Sequence, residues 1–112
     1  MIVLLKRTNG QTKQYLESGA LKIDTMLHRV YVDGEEIVTT PKEYDLLVYF
    51  MQNEEIVLNR DMILDRVWGM DYFGDFRTVD TIIKQLRKKL GEHSDYIKSV
   101  YGVGYFFEVN DD

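Results

Sequence analysis

Hydrophobic and polar residues alternate along the first third of this chain with a period of two, which is typical of half-buried strands. Turn residues separate the short runs, and Asp33 with Gly34 gives the strongest hairpin signal among them. The pattern therefore predicts short antiparallel strands, of which three or four are the minimum for a stable sheet with one covered face. The predicted strands are 15–17, 21–24, 29–32 and 35–38.

From residue 40 onwards the apolar residues recur at the three- and four-residue steps of a helix. Thr40 can cap a first helix, Pro41 suits its first position, and Glu43 completes a capping box. Asn59 can cap a second helix, which Gly69 ends. The predicted apolar faces consist of Tyr44, Leu47, Val48 and Met51 in the first helix and of Ile63, Leu64, Val67 and Trp68 in the second.

A third helix, predicted over about residues 76–90, separates two faces most sharply. Asp75 can cap it, and Gly91 offers the left-handed conformation that ends many helices. Its apolar stripe, which should face a core, consists of Val79, Ile83, Leu86 and Leu90. Its opposite, polar face consists of Arg77, Thr81, Lys84 and Lys88.

Charge sets this third helix apart from the rest of the chain. Residues 77–90 carry five cations against the single acid Asp80, a net charge of +4, whereas the whole chain carries −5. The other residues therefore sum to −9. A basic helical face on an otherwise acidic protein indicates a polyanionic partner. A solvated surface helix with lysines for solubility would show the same pattern, so this helix alone does not decide between them.

Length and composition indicate one ordinary globular domain. The chain has 112 residues, of which 45% are apolar and 29% charged. It contains no cysteine, so it has neither a disulfide framework nor a thiolate metal site, which fits a reducing cytoplasm. No apolar run approaches the roughly 18 residues of a membrane span, and no secretion signal is visible. We therefore expect a cytoplasmic protein without a membrane partner.

Motifs for catalysis, cofactors and metals are missing from the sequence. No nucleophile stands in a recognisable motif with a histidine. Gly102 and Gly104 lack the third glycine and the following helix of a dinucleotide site. His28 falls in a turn of the predicted sheet, without a second histidine or a carboxylate at metal-site spacing, and His93 lies in a polar turn. We therefore expect no enzyme activity, no cofactor and no metal.

The last part of the chain predicts a hairpin next to the basic helix. Two runs, 96–101 and 105–109, flank a turn that contains two glycines. Three helices followed by such a hairpin form the element order of a winged helix. In that architecture the third helix enters the major groove of DNA, and the hairpin, or wing, reaches the adjacent sugar–phosphate edge.

Five short motifs occur along the chain in one specific order. They are Thr40-Pro-Lys-Glu-Tyr44, Val67-Trp-Gly69, Arg77-Thr-Val-Asp80, Leu86-Arg-Lys-Lys-Leu90 and Val100-Tyr-Gly-Val-Gly-Tyr105. With them, the chain resembles the C-terminal DNA-binding domain of OmpR/PhoB-type two-component response regulators over about residues 14–109. The resemblance implies an α+β fold, a winged helix-turn-helix with an N-terminal four-stranded antiparallel sheet, three helices and a C-terminal β-hairpin wing.

The same resemblance implies a domain division and a set of partners. Residues 14–110 would form the DNA-binding domain. Residues 1–13 would be a linker or the end of the last helix of a missing receiver domain, although an N-terminal strand or a frayed tail fits them equally. Its partners would be direct-repeat DNA half-sites and a cognate histidine kinase, with RNA polymerase as a further candidate. Without its receiver, the domain is expected to be monomeric.

Site residues follow from the resemblance position by position. With a recognition helix at about 76–90 and a wing at about 97–109, the residues expected to contact DNA are Thr40, Arg60, Trp68, Arg77, Thr78, Thr81, Lys84, Gln85, Lys88, Ser99 and Tyr101. Ordinary structural roles are open for two of them, since Thr40 can simply cap a helix and Trp68 can belong to the core. Tyr72 and Phe73 are candidates for contact with RNA polymerase, or else they cover the gap between two helices.

Four positions modify this expectation. Ile82 stands where the family often has histidine, and we expect it to extend the core rather than contact a thymine methyl group. Tyr101 and Phe106 stand where the family usually has cations, which predicts a weaker wing, although the tyrosine could still donate one hydrogen bond to a phosphate. Asp80 is expected to pair with a cation on its own helix, such as Lys84.

One alternative function belongs to a different class. A winged helix can serve as a protein-interaction module with weak or no DNA binding. Its contact residues here would be the aromatic side chains of Tyr72, Phe73, Tyr101 and Phe106. The acidic total charge and the uncharged wing favour this interpretation, whereas the clustered cations of the third helix favour DNA.

Overall fold

The computed structural model describes residues 15–69 and 75–109, and it confirms the predicted winged helix with a four-stranded antiparallel sheet, three helices and a C-terminal hairpin. Its elements are β1 Tyr15–Ser18, β2 Leu21–Asp24, β3 Arg29–Val32, β4 Glu35–Ile37, α1 Pro41–Gln52, β5 Leu58–Asn59, α2 Arg60–Val67, α3 Phe76–Leu90, a 3₁₀ helix Gly91–Tyr96, β6 Ile97–Val100 and β7 Gly104–Phe107.

The N-terminal sheet has the strand order β1-β2-β3-β4, and each neighbouring pair is antiparallel. Ile23 on β2 pairs with Val30 on β3, and both side chains are fully buried. Asp33 and Gly34 have φ values of 53° and 82°, the left-handed conformation that a two-residue hairpin turn requires. The predicted hairpin is therefore confirmed.

Helix α1 begins with the predicted capping box. The Oγ1 atom of Thr40 accepts a hydrogen bond from the backbone N–H of Glu43 at 3.2 Å, and the Glu43 carboxylate accepts one from the N–H of Thr40 at 2.8 Å. Leu46 and Phe50 lie outside the predicted apolar face and are nevertheless fully buried. The reason is that α1 contacts β1 and β7 as well as both other helices, so more than one side of it is covered.

Helix α3 begins and ends where its sequence predicts. The Asp75 carboxylate accepts a hydrogen bond from the backbone N–H of Arg77 at 2.9 Å, and Gly91 follows the last turn with a φ of 59°. Ile82 is only 5% exposed, which confirms that it extends the core stripe. The buried residues of α3 are Val79, Ile82, Ile83, Leu86 and Leu90. Among the described residues, no helix is long and apolar enough to cross a membrane.

A second, three-stranded sheet carries the wing. Its strand order is β5-β7-β6, and the two-residue strand β5 pairs with β7 through Leu58 with Tyr105 and Asn59 with Gly104. The sequence did not predict β5, because two residues cannot display a hydrophobic period. Asn59 also caps α2, with its Oδ1 atom 2.9 Å from the N–H of Met62. The wing and the start of α2 are therefore fixed to each other.

Candidate nucleic-acid interface

The polar face of α3 is exposed, as predicted. The side chains of Arg77, Thr81, Lys84, Gln85 and Lys88 lie at the surface, opposite the buried stripe. The side chain of Arg77 is 90% exposed, and its guanidinium lies 3.3 Å from the Asp75 carboxylate. An exposed pair of this kind contributes little to stability, so the guanidinium can exchange it for another anion.

Two of the five cations of α3 are used inside the fold. Arg87 donates from Nε and Nη2 to the carbonyl oxygen of Ile97, at 3.0 and 2.7 Å, and from Nη2 to the Ser99 hydroxyl at 2.9 Å. Lys89 donates to the buried carboxylate of Glu43 at 2.5 Å. The cations presented on the exposed face are therefore Arg77, Lys84 and Lys88, fewer than the net charge of the helix suggests.

Asp80 does not pair with Lys84, so that prediction is wrong. Its Oδ1 atom accepts hydrogen bonds from Nε of Arg60 at 3.0 Å and from the Tyr105 hydroxyl at 2.5 Å. Asp80 and Arg87 are seven residues apart, close to two helical turns, so both lie on the flank of α3 that faces the wing. The position of Asp80 and Arg87 beside the apolar stripe could have indicated contacts within the fold. The sequence alone could not identify the partners of Asp80, which lie 20 and 25 positions away.

The contacts among Asp80, Arg60 and Tyr105 shift the pKa values of the Asp80 carboxyl and the Tyr105 hydroxyl. Burial raises the pKa of the Asp80 carboxyl, but the hydrogen bonds from Tyr105 and Arg60 outweigh it and hold that pKa below its ordinary value. Burial, followed by the neighbouring Asp80 carboxylate, raises the pKa of the Tyr105 hydroxyl. Asp80 is therefore an anion and Tyr105 a neutral donor near pH 7, which is the pairing that the hydrogen bond needs.

The wing stands beside α3 with its tip in solvent. Ser99 on β6 is exposed and accepts the hydrogen bond from Arg87, whereas Tyr101 at the turn is completely exposed. A groove of about 420 Å³ runs between the wing and the start of α2, and Arg60, Ser99 and Tyr101 line it together. The structure thus brings these three predicted residues into one depression. Phe106, on the neighbouring strand, is half-buried.

The remaining predicted residues lie at helix ends. Thr40 caps α1, so its ordinary structural role is present. Trp68 is the C-terminal cap residue of α2 and is half-buried, with Nζ of Lys42 5.4 Å from the centre of its ring. Thr78 is half-buried in the first turn of α3. Trp68 packs against the hydrophobic core from its edge, so its structural role is present too. Tyr72 and Phe73 lie outside the described residues.

One group in the described part of the chain has donors spaced closely enough for a metal ion. It consists of Asp33, Glu92 and His93, whose ligand atoms lie within 4.8 Å of one another. Nε2 of His93 is 2.8 Å from the Asp33 carboxylate, a direct hydrogen bond between the two side chains. Because Asp33 and Glu92 are exposed, and exposed acidic groups of this kind are common without an ion, we assign no metal to it.

Comparison with known proteins agrees with this geometry. The family described as transcriptional regulatory protein, C terminal, matches residues 34–107. The transcriptional regulatory protein SrrA of Staphylococcus aureus is 42% identical, in an alignment that covers 95% of this chain and 49% of SrrA. The chain thus spans about half the length of the curated relatives that it matches.

Two solved structures are similar in fold. The response regulator DrrB of Thermotoga maritima, an OmpR/PhoB homologue, is 33% identical with a TM-score of 0.76, covering 84% of this chain and 44% of DrrB. The DNA-binding domain of Klebsiella pneumoniae RstA, solved in complex with the RstA box, is 31% identical with a TM-score of 0.75, covering 85% of this chain and 97% of that domain. From its matched residues and its fold, this chain belongs to the family of C-terminal domains of transcriptional regulatory proteins, as the effector domain of an OmpR/PhoB-type response regulator.

Proposed function

We propose that this chain binds double-stranded DNA sequence-specifically, as the output domain of a two-component response regulator that controls transcription. The observation that carries the proposal is the exposed face of α3, where Arg77, Lys84 and Lys88 lie opposite a buried stripe beside a fixed wing. In this arrangement α3 enters the major groove and the wing lies at the minor groove. The RstA domain, which shares the fold, is bound to DNA in its own structure.

The predicted residues divide by chemistry within this arrangement. The exposed cations of α3 are suited to phosphates and to guanine, and the uncharged Thr81 and Gln85 are suited to base edges in the major groove. Residues at helix ends and in the wing are suited to the sugar–phosphate backbone. These backbone contacts are proposed for Thr40, Arg60, Trp68, Thr78, Ser99 and Tyr101.

The dependence of DNA affinity on salt tests the proposal. With on the order of four phosphate contacts, the logarithm of affinity against the logarithm of salt concentration should have a slope of about −4. Lys84→Ala and Lys88→Ala should each weaken binding and flatten the slope by about 0.9. Lys22→Ala is the matched control, because it removes the same charge from β2 in the N-terminal sheet. A DNA affinity that does not change with salt concentration, or an equal loss of affinity in all three variants, would contradict the proposal.

The competing interpretation as a protein-interaction module is not favoured. The matching family and SrrA are both described as transcriptional regulatory proteins. The exposed cations of α3 also favour a polyanion as the partner. We therefore propose no catalytic activity for this chain, and we place its action in the cytoplasm, where the DNA of a bacterial regulator is found.

We further propose that residues 14–110 are the DNA-binding domain and that residues 1–13 are a linker or the end of a receiver domain's last helix. A receiver, controlled by a cognate histidine kinase, would bring two copies onto direct-repeat half-sites by raising their effective concentration. The chain by itself should then be a monomer that binds DNA weakly. Sedimentation that shows a stable dimer at micromolar concentration would overturn this part of the proposal.

RNA polymerase is the second partner that we propose, through Tyr72 and Phe73. These adjacent aromatic residues lie in the segment between α2 and α3, which is longer than a helix–turn–helix connection requires. A double alanine variant should keep its melting temperature and DNA affinity while transcription in a reconstituted assay falls. A loss of several kcal/mol of stability would instead assign both rings to the core.

A further inference from the structure

The tip of the wing is apolar and uncharged, which is unusual for a surface placed beside DNA. The relative exposure of Tyr101 is 101%, and that of Val103, two residues on, is 47%. Residues 99–104 contain no charged side chain. The nearest cation along the chain, Lys98, donates to the carbonyl oxygen of Asp95 at 2.7 Å and lies 3.8 Å from the Glu108 carboxylate. Coulombic attraction therefore cannot be the main contribution of this tip.

The tip is nevertheless held firmly. The backbone N–H of Val103 donates to the carbonyl oxygen of Val100 at 3.0 Å and closes the turn, in which Gly102 has a φ of 75°. Below the turn, the bond from Arg87 to Ser99 fixes one strand to α3, and the bond from Tyr105 to Asp80 fixes the other. An aromatic side chain displayed on such a rigid hairpin loses little conformational freedom when it binds.

We propose that Tyr101, together with Val103, reads DNA through apolar contact with the sugars and base edges of the minor groove. This inference rests on the proposed function, in which α3 lies in the major groove. Because both strands of the wing are bonded to α3, the tip then meets the adjacent minor-groove edge. The walls of that groove expose the C–H groups of the deoxyribose rings, which an aromatic ring and a valine can cover. Apolar side chains are used at minor-groove steps in other DNA-binding proteins.

Apolar contact differs from a cationic contact in a measurable way. Covering sugars with a ring releases no condensed counterions, so the contribution of Tyr101 to affinity should not depend on salt. The ring, rather than the hydroxyl, should carry the effect. A hydrogen bond from the hydroxyl to a phosphate is the alternative chemistry for the same side chain, and phenylalanine separates the two because it keeps the ring alone.

The test uses the whole chain and a duplex obtained by selection from random sequence. Affinities are measured from about 50 to 200 mM salt for the parent, Tyr101→Ala, Tyr101→Phe and Tyr101→Arg. Alanine should lower affinity about tenfold at every salt concentration, the scale expected for losing one aromatic contact with nucleic acid. Phenylalanine should recover most of that loss. Arginine should steepen the salt slope by about 0.9, because it adds a phosphate contact. Tyr15→Ala removes a half-exposed ring from β1 and is the matched control.

Each outcome separates this inference from the proposed function. If the parent binds with a salt slope that depends on Lys84 but Tyr101→Ala binds equally well, the apolar contact is wrong and the proposed function stands. If phenylalanine loses as much affinity as alanine, the hydroxyl carries the contact and the inference is also wrong. If Tyr101→Ala keeps its DNA affinity but lowers transcription, the tip contacts a protein instead. A parent that fails to bind duplex DNA at any salt concentration overturns both proposals. Because Tyr101 is fully exposed, its variants should fold normally, which thermal unfolding checks.

Discussion

The hydroxyl of Tyr105 in the wing donates a 2.5 Å hydrogen bond to a carboxylate oxygen of Asp80 on the recognition helix. The same oxygen accepts a hydrogen bond from Arg60 at the start of α2, at 3.0 Å. One carboxylate therefore connects the three elements that a winged helix must hold at fixed angles. We infer that Asp80 serves DNA binding by positioning α3 and the wing rather than by contact, since an anion would be repelled by phosphates.

Removing the Tyr105 hydroxyl should lower the stability of the fold while the ring stays packed in the core. Tyr105→Phe keeps the buried ring and removes only the donor, so the free energy of unfolding should fall by about 1 kcal/mol. The effect stays near that value because 42% of the Asp80 side chain is exposed. Urea unfolding of Tyr105→Phe, Asp80→Ala and the double variant should reveal a coupling energy of about 0.5 kcal/mol or more, because alanine removes the acceptor. Additive losses would show that the two groups are not partners in solution, and Tyr101→Phe is the control for an exposed hydroxyl.

Low pH should abolish the contribution of the Asp80 carboxylate to the stability of the fold. Its pKa lies below the ordinary value of 3.8 in the folded protein, because the hydrogen bonds from Tyr105 and Arg60 outweigh the effect of burial. A group with a lowered pKa stabilises the fold above its unfolded pKa, and this stabilisation is lost as the pH falls through the folded pKa. The difference in unfolding free energy between the parent and Asp80→Asn should therefore be full above about pH 5 and shrink below about pH 4. A difference that stays constant from pH 3 to 7 would contradict this assignment.

The buried carboxylate of Glu43 should contribute more to stability than the exposed ion pair between Arg29 and Glu36 on the sheet. Glu43 is 1% exposed and accepts hydrogen bonds from the Thr40 N–H and from Lys89, so it joins the start of α1 to the end of α3. Glu43→Ala leaves both donors without this partner and should cost about 2 to 3 kcal/mol of unfolding free energy. Glu36→Ala is the control, because the Glu36 and Arg29 side chains are each about half exposed and 3.9 Å apart. That variant should change stability by less than about 1 kcal/mol in the same urea titration. Equal losses would show that Glu43 is not a buried partner.

Local signals account for the parts of the fold that the sequence predicted. Thr40, Asn59 and Asp75 each cap a helix through bonds that span three residues or fewer, so their effect is contained in a short stretch of sequence. The apolar stripe of α3 is equally local. The exposed face of α3 follows directly from that stripe, because the residues opposite a buried face must point to solvent.

Partners distant in the chain account for what the sequence did not predict. The sequence pattern placed Lys84 and Lys88 on the polar face of α3, whereas Arg87 and Lys89 entered only its net charge and received no role. The structure separates them, because Arg87 reaches carbonyl and hydroxyl oxygens of β6, and Lys89 reaches Glu43, 46 residues away. Strand β5 was missed for the same physical reason, since its pairing with β7 depends on the fold and not on its own two residues.

The contact between β5 and β7 gives the last prediction, which concerns Gly104. A Cβ atom at this position would lie 2.2 Å from the carbonyl oxygen of Leu58 and 2.7 Å from the Cα atom of Asn59, both backbone atoms that no side-chain rotation can move. Gly104→Ala must therefore push β5 away from β7, which strains the sheet that carries the wing and moves Asn59 from the start of α2. Overpacking of this kind should cost about 3 kcal/mol of unfolding free energy.

The matched control for Gly104 is Gly102, two residues earlier, in the turn that precedes β7. A Cβ atom at Gly102 would meet nothing within 4 Å, but its φ of +75° is unfavourable for alanine. Gly102→Ala should therefore cost only about 1 kcal/mol, from backbone strain alone. In urea unfolding, the loss for Gly104→Ala should exceed that for Gly102→Ala, and its DNA affinity should fall as well, because β5 links the wing to α2. Equal losses in the two variants would mean that β5 does not lie against β7 as closely as the structure places it.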